Sequence, residues 1–151
     1  MRIARVVDLS VVVDDRTQVF PGDPVPALRP ATRIESDGYN VLSLELGSHT
    51  GTHVDAPFHF VADGARLENL ELSLFVGVGV IADVTGHTAR QPITWRDLEP
   101  VAERLGAGAI LLLRTGWSER HLGTSLYHDH PYRDQDVCRE VLARGVRTIA
   151  I

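Results

Sequence analysis

Residues 47–60 read GSHTGTHVDAPFHF and constrain the fold more than any other stretch. Gly47, Gly51 and Pro57 interrupt it. Those residue types break helices, suit tight turns and let backbone approach a small object closely. The segment is therefore not a helix that carries a His-x-x-x-His pair on one face. Thr50, Thr52 and Val54 are β-branched and favour extended backbone. In an extended segment His49, His53 and Asp55 share one parity and point to one side. Two neutral imidazoles and one carboxylate suit a divalent ion such as zinc or manganese. His59 follows the proline-containing turn, where it can stand beside the ion as a proton carrier. The plain alternative is a solvated histidine-rich turn. Four ligand-type side chains framed by glycine, threonine and apolar neighbours favour the metal site.

The pattern His49-x-Gly51-Thr52-His53-x-Asp55-x-Pro57-x-His59-Phe60 resembles the signature of the kynurenine formamidase and cyclase-like metal-hydrolase family, which also contains isatin hydrolases. Shorter matches run along the chain at Asp8-Leu9-Ser10, Pro21-Gly22-Asp23, Arg114-Thr115-Gly116-Trp117 and His130-Pro131. The resemblance implies that His49, His53 and Asp55 hold the metal and that His59 is the catalytic acid/base. It implies hydrolysis of a small amide, an N-formyl arylamine or a cyclic amide. In formamidases that resemble this chain, the aromatic residue before Pro-Gly-Asp is a tryptophan lining the substrate pocket. Here it is Phe20, which keeps a flat apolar wall and lacks the indole N–H donor. The resemblance also places Trp117 near the pocket; the residues alone equally allow a turn with a packed tryptophan. Two further readings use the same ion: a metal-dependent cyclase or dehydratase, and a catalytically silent metal-binding partner subunit. Relatives continue past the last strand, and dinuclear members take a later histidine and glutamate for a second ion. The expectation is one three-ligand site in a single cyclase-like domain that lacks the family's C-terminal portion.

The chemistry expected of such a site follows from its charges. Two imidazoles and one carboxylate leave a divalent ion with net positive charge. Such an ion lowers the pKa of water to roughly 7 and polarises a carbonyl. All fifteen basic residues are arginine, which excludes a lysine nucleophile or Schiff base within these residues. The net charge of -5 gives no reason to expect nucleic acid or an anionic membrane as partner, so a small-molecule substrate is expected. A single cysteine, Cys138, cannot form an internal disulfide. The N-terminal stretch lacks a long apolar run, so neither signal peptide nor membrane span is expected, and a cytoplasmic location is the default.

The rest of the chain reads as a mixed α/β fold: antiparallel N-terminal strands that carry the ligands, then a βαβαβ portion, as in the swivelling β/β/α-like cyclase fold. Strands are expected at residues 6–13, 28–34 and 39–46, the last alternating through Leu42, Leu44 and Leu46. Residues 62–65 read as a polar turn. Residues 75–84 form a continuous apolar run, expected as a buried strand, and 109–113 a second. Between them Thr94 and Asp97 mark a helix start, with Trp95, Leu98, Val101, Ala102 and Leu105 on one face. His87 reads as a solvated turn residue, and His121, His128 and His130 as exposed loop residues. A helix over residues 135–144 puts Val137, Cys138, Val141 and Leu142 on its apolar face, and residues 146–151 complete a second crossover. An exposed terminal strand favours a homo-oligomer.

Overall fold

The computed structural model describes residues 4–151; residues 1–3, the start of the N-terminal stretch, lie outside them. Two compact units divide at Gly64 and Ala65. In the first, β1 (Ala27–Thr32) and β2 (Val41–Glu45) form an antiparallel pair, with Ala27 opposite Glu45 and Thr32 opposite Val41. Their register shifts between Pro30 and Thr32, where proline has no N–H to give to the ladder. One helical turn, α1 (Ile34–Asp37), joins the strands and closes on Gly38 at φ 79°. The leucine stripe of β2 is present but uncovered: Leu42 and Leu44 are 52% and 60% exposed.

The strand expected at residues 6–13 does not form. Those residues are irregular, with Val6 and Val12 exposed. A β-type sequence makes a strand only where a ladder partner exists. Here the segment instead gives the Val11 N–H to the Thr52 hydroxyl at 3.0 Å, lying against the histidine segment.

In the second unit β3 (Val78–Asp83), β5 (Ala109–Arg114) and β7 (Thr148–Ala150) form a parallel sheet in the order β3-β5-β7. The antiparallel and parallel parts are hydrogen-bonded as separate sheets. A two-residue parallel pair, β4 (Pro92–Ile93) with β6 (Tyr132–Arg133), is too short to be read from sequence. Both long parallel connections contain helices, the usual form of the long crossover that parallel pairing requires. The core joins Val80 and Ala82 of β3 and Leu111 of β5 to Leu98, Leu105, Val137 and Val141. The run at 75–84 is thus buried on one face only. Ile81 on the other face is 56% exposed, because the helices of this unit pack on the Val80–Leu111 side.

The first crossover helix is shorter than its apolar pattern. α2 (Trp95–Leu98) passes into a 3-10 segment, Glu99–Arg104. Pro100 lies inside that pattern, lacks an N–H and crowds the preceding turn, so α-helical bonding stops there. Its start follows the sequence: the Asp97 carboxylate accepts the Thr94 N–H at 2.7 Å and the Thr94 hydroxyl at 2.8 Å. His87 is not solvated. Its side chain is 10% exposed, with Nε2 3.4 Å from Asp97 Oδ2 and Nδ1 3.2 Å from the Val84 carbonyl. A partner ten residues away in sequence explains why the turn residues alone did not reveal this. Burial raises the Asp97 pKa, but the Thr94 N–H and hydroxyl, with His87 beside them, bring it below the ordinary 3.8. A depressed folded-state pKa contributes stability above about 3.8 that is lost as the pH falls through the folded value. Thr94→Ala is expected to lower unfolding free energy by about 1 kcal/mol at neutral pH. Urea denaturation should show that difference shrinking below about pH 4.

α3 (Trp117–His121) and α4 (Gln135–Ala143) lie in the second crossover. The buried face of α4 is narrower than its sequence pattern: Val137 and Val141 are fully buried, Cys138 is half-buried and Leu142 is half-exposed. Cys138 and Leu142 each follow a buried residue and so sit 100° round from it, at the margin of the stripe. Among the described residues no helix is long and apolar enough to cross a membrane.

Candidate metal centre

The histidine segment leaves β2 within two residues and turns at once. The Thr50 N–H bonds the Gly47 carbonyl at 3.1 Å, so His49 sits inside a tight turn. Gly51 follows at φ 67°, a left-handed conformation that side chains disfavour. A Cβ there would also lie 2.8 Å from Val13. His49 and His53 are therefore not alternate residues of one extended strand. A reversal of the backbone brings them together, which corrects the parity argument while keeping its result.

Asp55 is where the donors meet. Its Oδ1 lies 2.7 Å from His49 Nδ1 and 3.3 Å from His53 Nε2. The His49 and His53 rings stand edge to face at 4.9 Å. His53 Nδ1 is 2.8 Å from the Gly51 carbonyl, which can only accept. That contact calls for a ring hydrogen on Nδ1, so a neutral His53 ring turns its Nε2 lone pair toward Asp55. Gly51 thus orients a candidate ligand, a role carried by its backbone oxygen.

His59 arrives from a 3-10 turn, Pro57–His59, with Pro57 fixing the first dihedral angle. Its N–H bonds the Ala56 carbonyl at 2.9 Å. The His59 ring lies 3.9 Å from that of His49 and 4.1 Å from that of Phe60. One donor atom each from His49, Asp55 and His59 falls within 4.8 Å of the others. All four residues singled out from the sequence therefore gather in one place. His53 reaches the group through Asp55, and His59 stands as close to the cluster as an expected ligand does.

The donor set fits a divalent cation. His49 Nδ1 is buried and has no hydrogen-bond partner, although Asp55 Oδ1 is only 2.7 Å away. The contact is short without the alignment of a hydrogen bond. A buried nitrogen left unpaired beside a carboxylate is costly, and a shared cation would satisfy both lone pairs. The site is open to small molecules: the Asp55 side chain is half-exposed.

The two residues expected at a substrate pocket are placed as follows. Phe20 opens a turn closed by the Asp23 N–H on the Phe20 carbonyl at 3.0 Å, and it is largely exposed. Trp117 belongs to the second unit, where it is 6% exposed. Its indole N–H lies 3.2 and 3.1 Å from the Leu126 and Tyr127 carbonyls, and its ring meets His121 at 4.2 Å. His121 and His128 are half-buried rather than fully exposed, and His130 is exposed.

A family model described as "Putative cyclase" matches residues 7–151. The kynurenine formamidase of Geobacillus thermodenitrificans (strain NG80-2) is 30% identical over 146 residues, covering 96% of this chain and 66% of its own. Isatin hydrolase A from Labrenzia aggregata, solved with benzyl benzoate, superposes with a TM-score of 0.81 at 22% identity, over 96% of this chain and 66% of that one. A structure described as a potential metal-dependent hydrolase with cyclase activity gives a TM-score of 0.74 at 23% identity, over 96% and 66% of the two chains. The chain thus spans about two thirds of the length of these relatives. The structural likenesses show a shared fold.

Proposed function

Because this chain belongs to the cyclase family, we propose that it serves a metal-dependent hydrolase of small amides, with an N-formyl arylamine or a cyclic amide as substrate. The observation that carries this reading is the unpaired, buried His49 Nδ1 facing Asp55, with His59 in the same cluster. The names of the relatives point to the same chemistry, one being a kynurenine formamidase and another an isatin hydrolase.

His49, His53 and Asp55 would hold the cation, zinc or manganese, since imidazole and carboxylate donors suit both. When bound, it supplies a Lewis acid that polarises the substrate carbonyl and makes water a better nucleophile near neutral pH. Asp55 contributes the negative charge of the donor set and bridges the two imidazoles. His53 is kept in one tautomer by the Gly51 carbonyl. His59 takes a proton on a ring nitrogen as water adds to the carbonyl, then returns it to the departing nitrogen. Phe20 would offer an apolar face to an aromatic substrate. The same proposal makes the enzyme cytoplasmic and self-associating. Support for association comes from the uncovered Leu42 and Leu44 of β2 and from the open edges of β3 and β7.

The test is direct. Protein loaded with manganese or zinc is offered N-formyl aromatic amines and, separately, isatin. Release of formate or of the ring-opened acid is the expected result. Stoichiometric metal with no turnover on either class would remove the hydrolase reading and leave the silent metal-binding subunit in its place.

A further inference from the structure

We propose that Gly64 is a positioning residue for His59: the absence of a side chain at position 64 sets where the imidazole stands relative to the metal ligands. For its activity arm this rests on the hydrolase reading. The turn that carries His59 is closed by bonds to two carbonyls. The Pro57 carbonyl accepts the Phe60 N–H at 3.2 Å and the Val61 N–H at 3.0 Å, and the Ala56 carbonyl accepts the His59 N–H at 2.9 Å. The chain then reverses through a second turn, in which the Gly64 N–H bonds the Val61 carbonyl at 2.8 Å. This reversal brings the Gly64 Cα back onto the peptide linking Pro57 to Phe58. A Cβ at position 64 would lie 2.7 Å from the Pro57 carbonyl carbon, 2.8 Å from its oxygen and 2.8 Å from the Phe58 nitrogen.

All three atoms are backbone, so no side chain can rotate away to make room. A methyl group at 64 cannot fit without a shift of backbone, and the Pro57–Phe58 peptide is the group it presses on. His59 is the next residue along. His49, His53 and Asp55 precede Pro57, and none of their atoms is among the three that the Cβ would meet. The displacement therefore falls first on His59, one residue from the crowded peptide, while His49, His53 and Asp55 lie on the far side of Pro57. Active-site geometry must hold within about 0.5 Å, and a misplacement of about 1 Å can cost on the order of 100-fold in rate.

Gly64→Ala is expected to lower kcat about 10- to 100-fold, with KM and manganese affinity by calorimetry within about twofold of the parent. In a His59→Ala background the same change should cost nothing further, because residues acting through one another are non-additive. Zinc-loaded Gly64→Ala should also show shifted His59 ring resonances by NMR, with those of His49 and His53 in place. The NMR comparison needs no turnover: if the parent hydrolyses nothing, the functional proposal fails and the ring displacement still decides the role of Gly64. Unchanged His59 resonances, full kcat, or an added loss in the His59→Ala background would each overturn the proposal. Should Gly64→Ala fail to fold, Pro57→Gly loosens the same peptide without adding an atom. It is expected to lower kcat with metal affinity retained, and full activity there would overturn the proposal equally.

Discussion

Asp55→Ala is expected to abolish stoichiometric metal binding and, with it, turnover. Asp55 Oδ1 is the atom that approaches both imidazoles, at 2.7 Å from His49 and 3.3 Å from His53. It is also the anionic member of the donor set, and a cation leaving water for two neutral nitrogens alone gains far less. Loss of an outer-shell partner of a metal ligand commonly costs 10- to 100-fold in affinity. A direct ligand that supplies the charge should cost more, so a fall of at least about 100-fold is expected for zinc or manganese. Asp55→Asn keeps the shape and removes the charge, and should fall between the parent and Asp55→Ala. Calorimetric titration with each metal, beside elemental analysis of the purified protein, measures both. An Asp55→Ala protein with full metal content and full turnover would end the assignment.

Which side chains gather into the candidate site was legible because the chemistry is local. His49, His53, Asp55 and His59 lie within eleven positions, and glycine and proline between them announce a segment that bends. How they converge was not legible. Alternation predicts convergence along a strand, whereas the Gly47–Thr50 turn and the positive φ of Gly51 accomplish it by reversal. Turn geometry depends on the backbone of every residue in the turn, and a parity rule cannot see it. The role of Gly64 is hidden in the sequence for a related reason. In sequence it is one glycine in a polar turn, and its contact with the Pro57–Phe58 peptide exists only once the chain has doubled back.

The parallel sheet shows the same division. β3, β5 and the connecting helix were readable from long apolar runs, the Thr94–Asp97 cap and a single apolar face. Pro100 could have shortened that helix on sequence grounds, since proline inside a helical pattern ends α-bonding. The β4–β6 pair and the burial of His87 both rest on contacts between residues distant in sequence, and two residues of strand leave no pattern to read. Residues 6–13 carry strand-forming side chains and make no strand, because propensity supplies a preference while the ladder needs a partner.

His59→Ala is expected to separate holding the metal from using it. Proton transfer by a positioned side chain typically contributes about 10²- to 10⁴-fold, so kcat should fall within that range. Metal affinity should stay within about threefold of the parent if His59 is a proton carrier, because the ligand set His49, His53 and Asp55 is untouched. Geometry makes this outcome informative. A ring nitrogen of His59 lies within the same 4.8 Å cluster as His49 and Asp55, close enough that a ligand role competes with a proton-transfer role. A ligand and a proton carrier predict opposite results in the metal titration while predicting the same loss of rate. Added imidazole sharpens the distinction. It can enter the half-exposed site and restore proton transfer, raising kcat of His59→Ala in proportion to its concentration. A His59→Ala protein that loses its metal and recovers nothing with imidazole would make His59 a ligand, and the proton would then have to travel through another group.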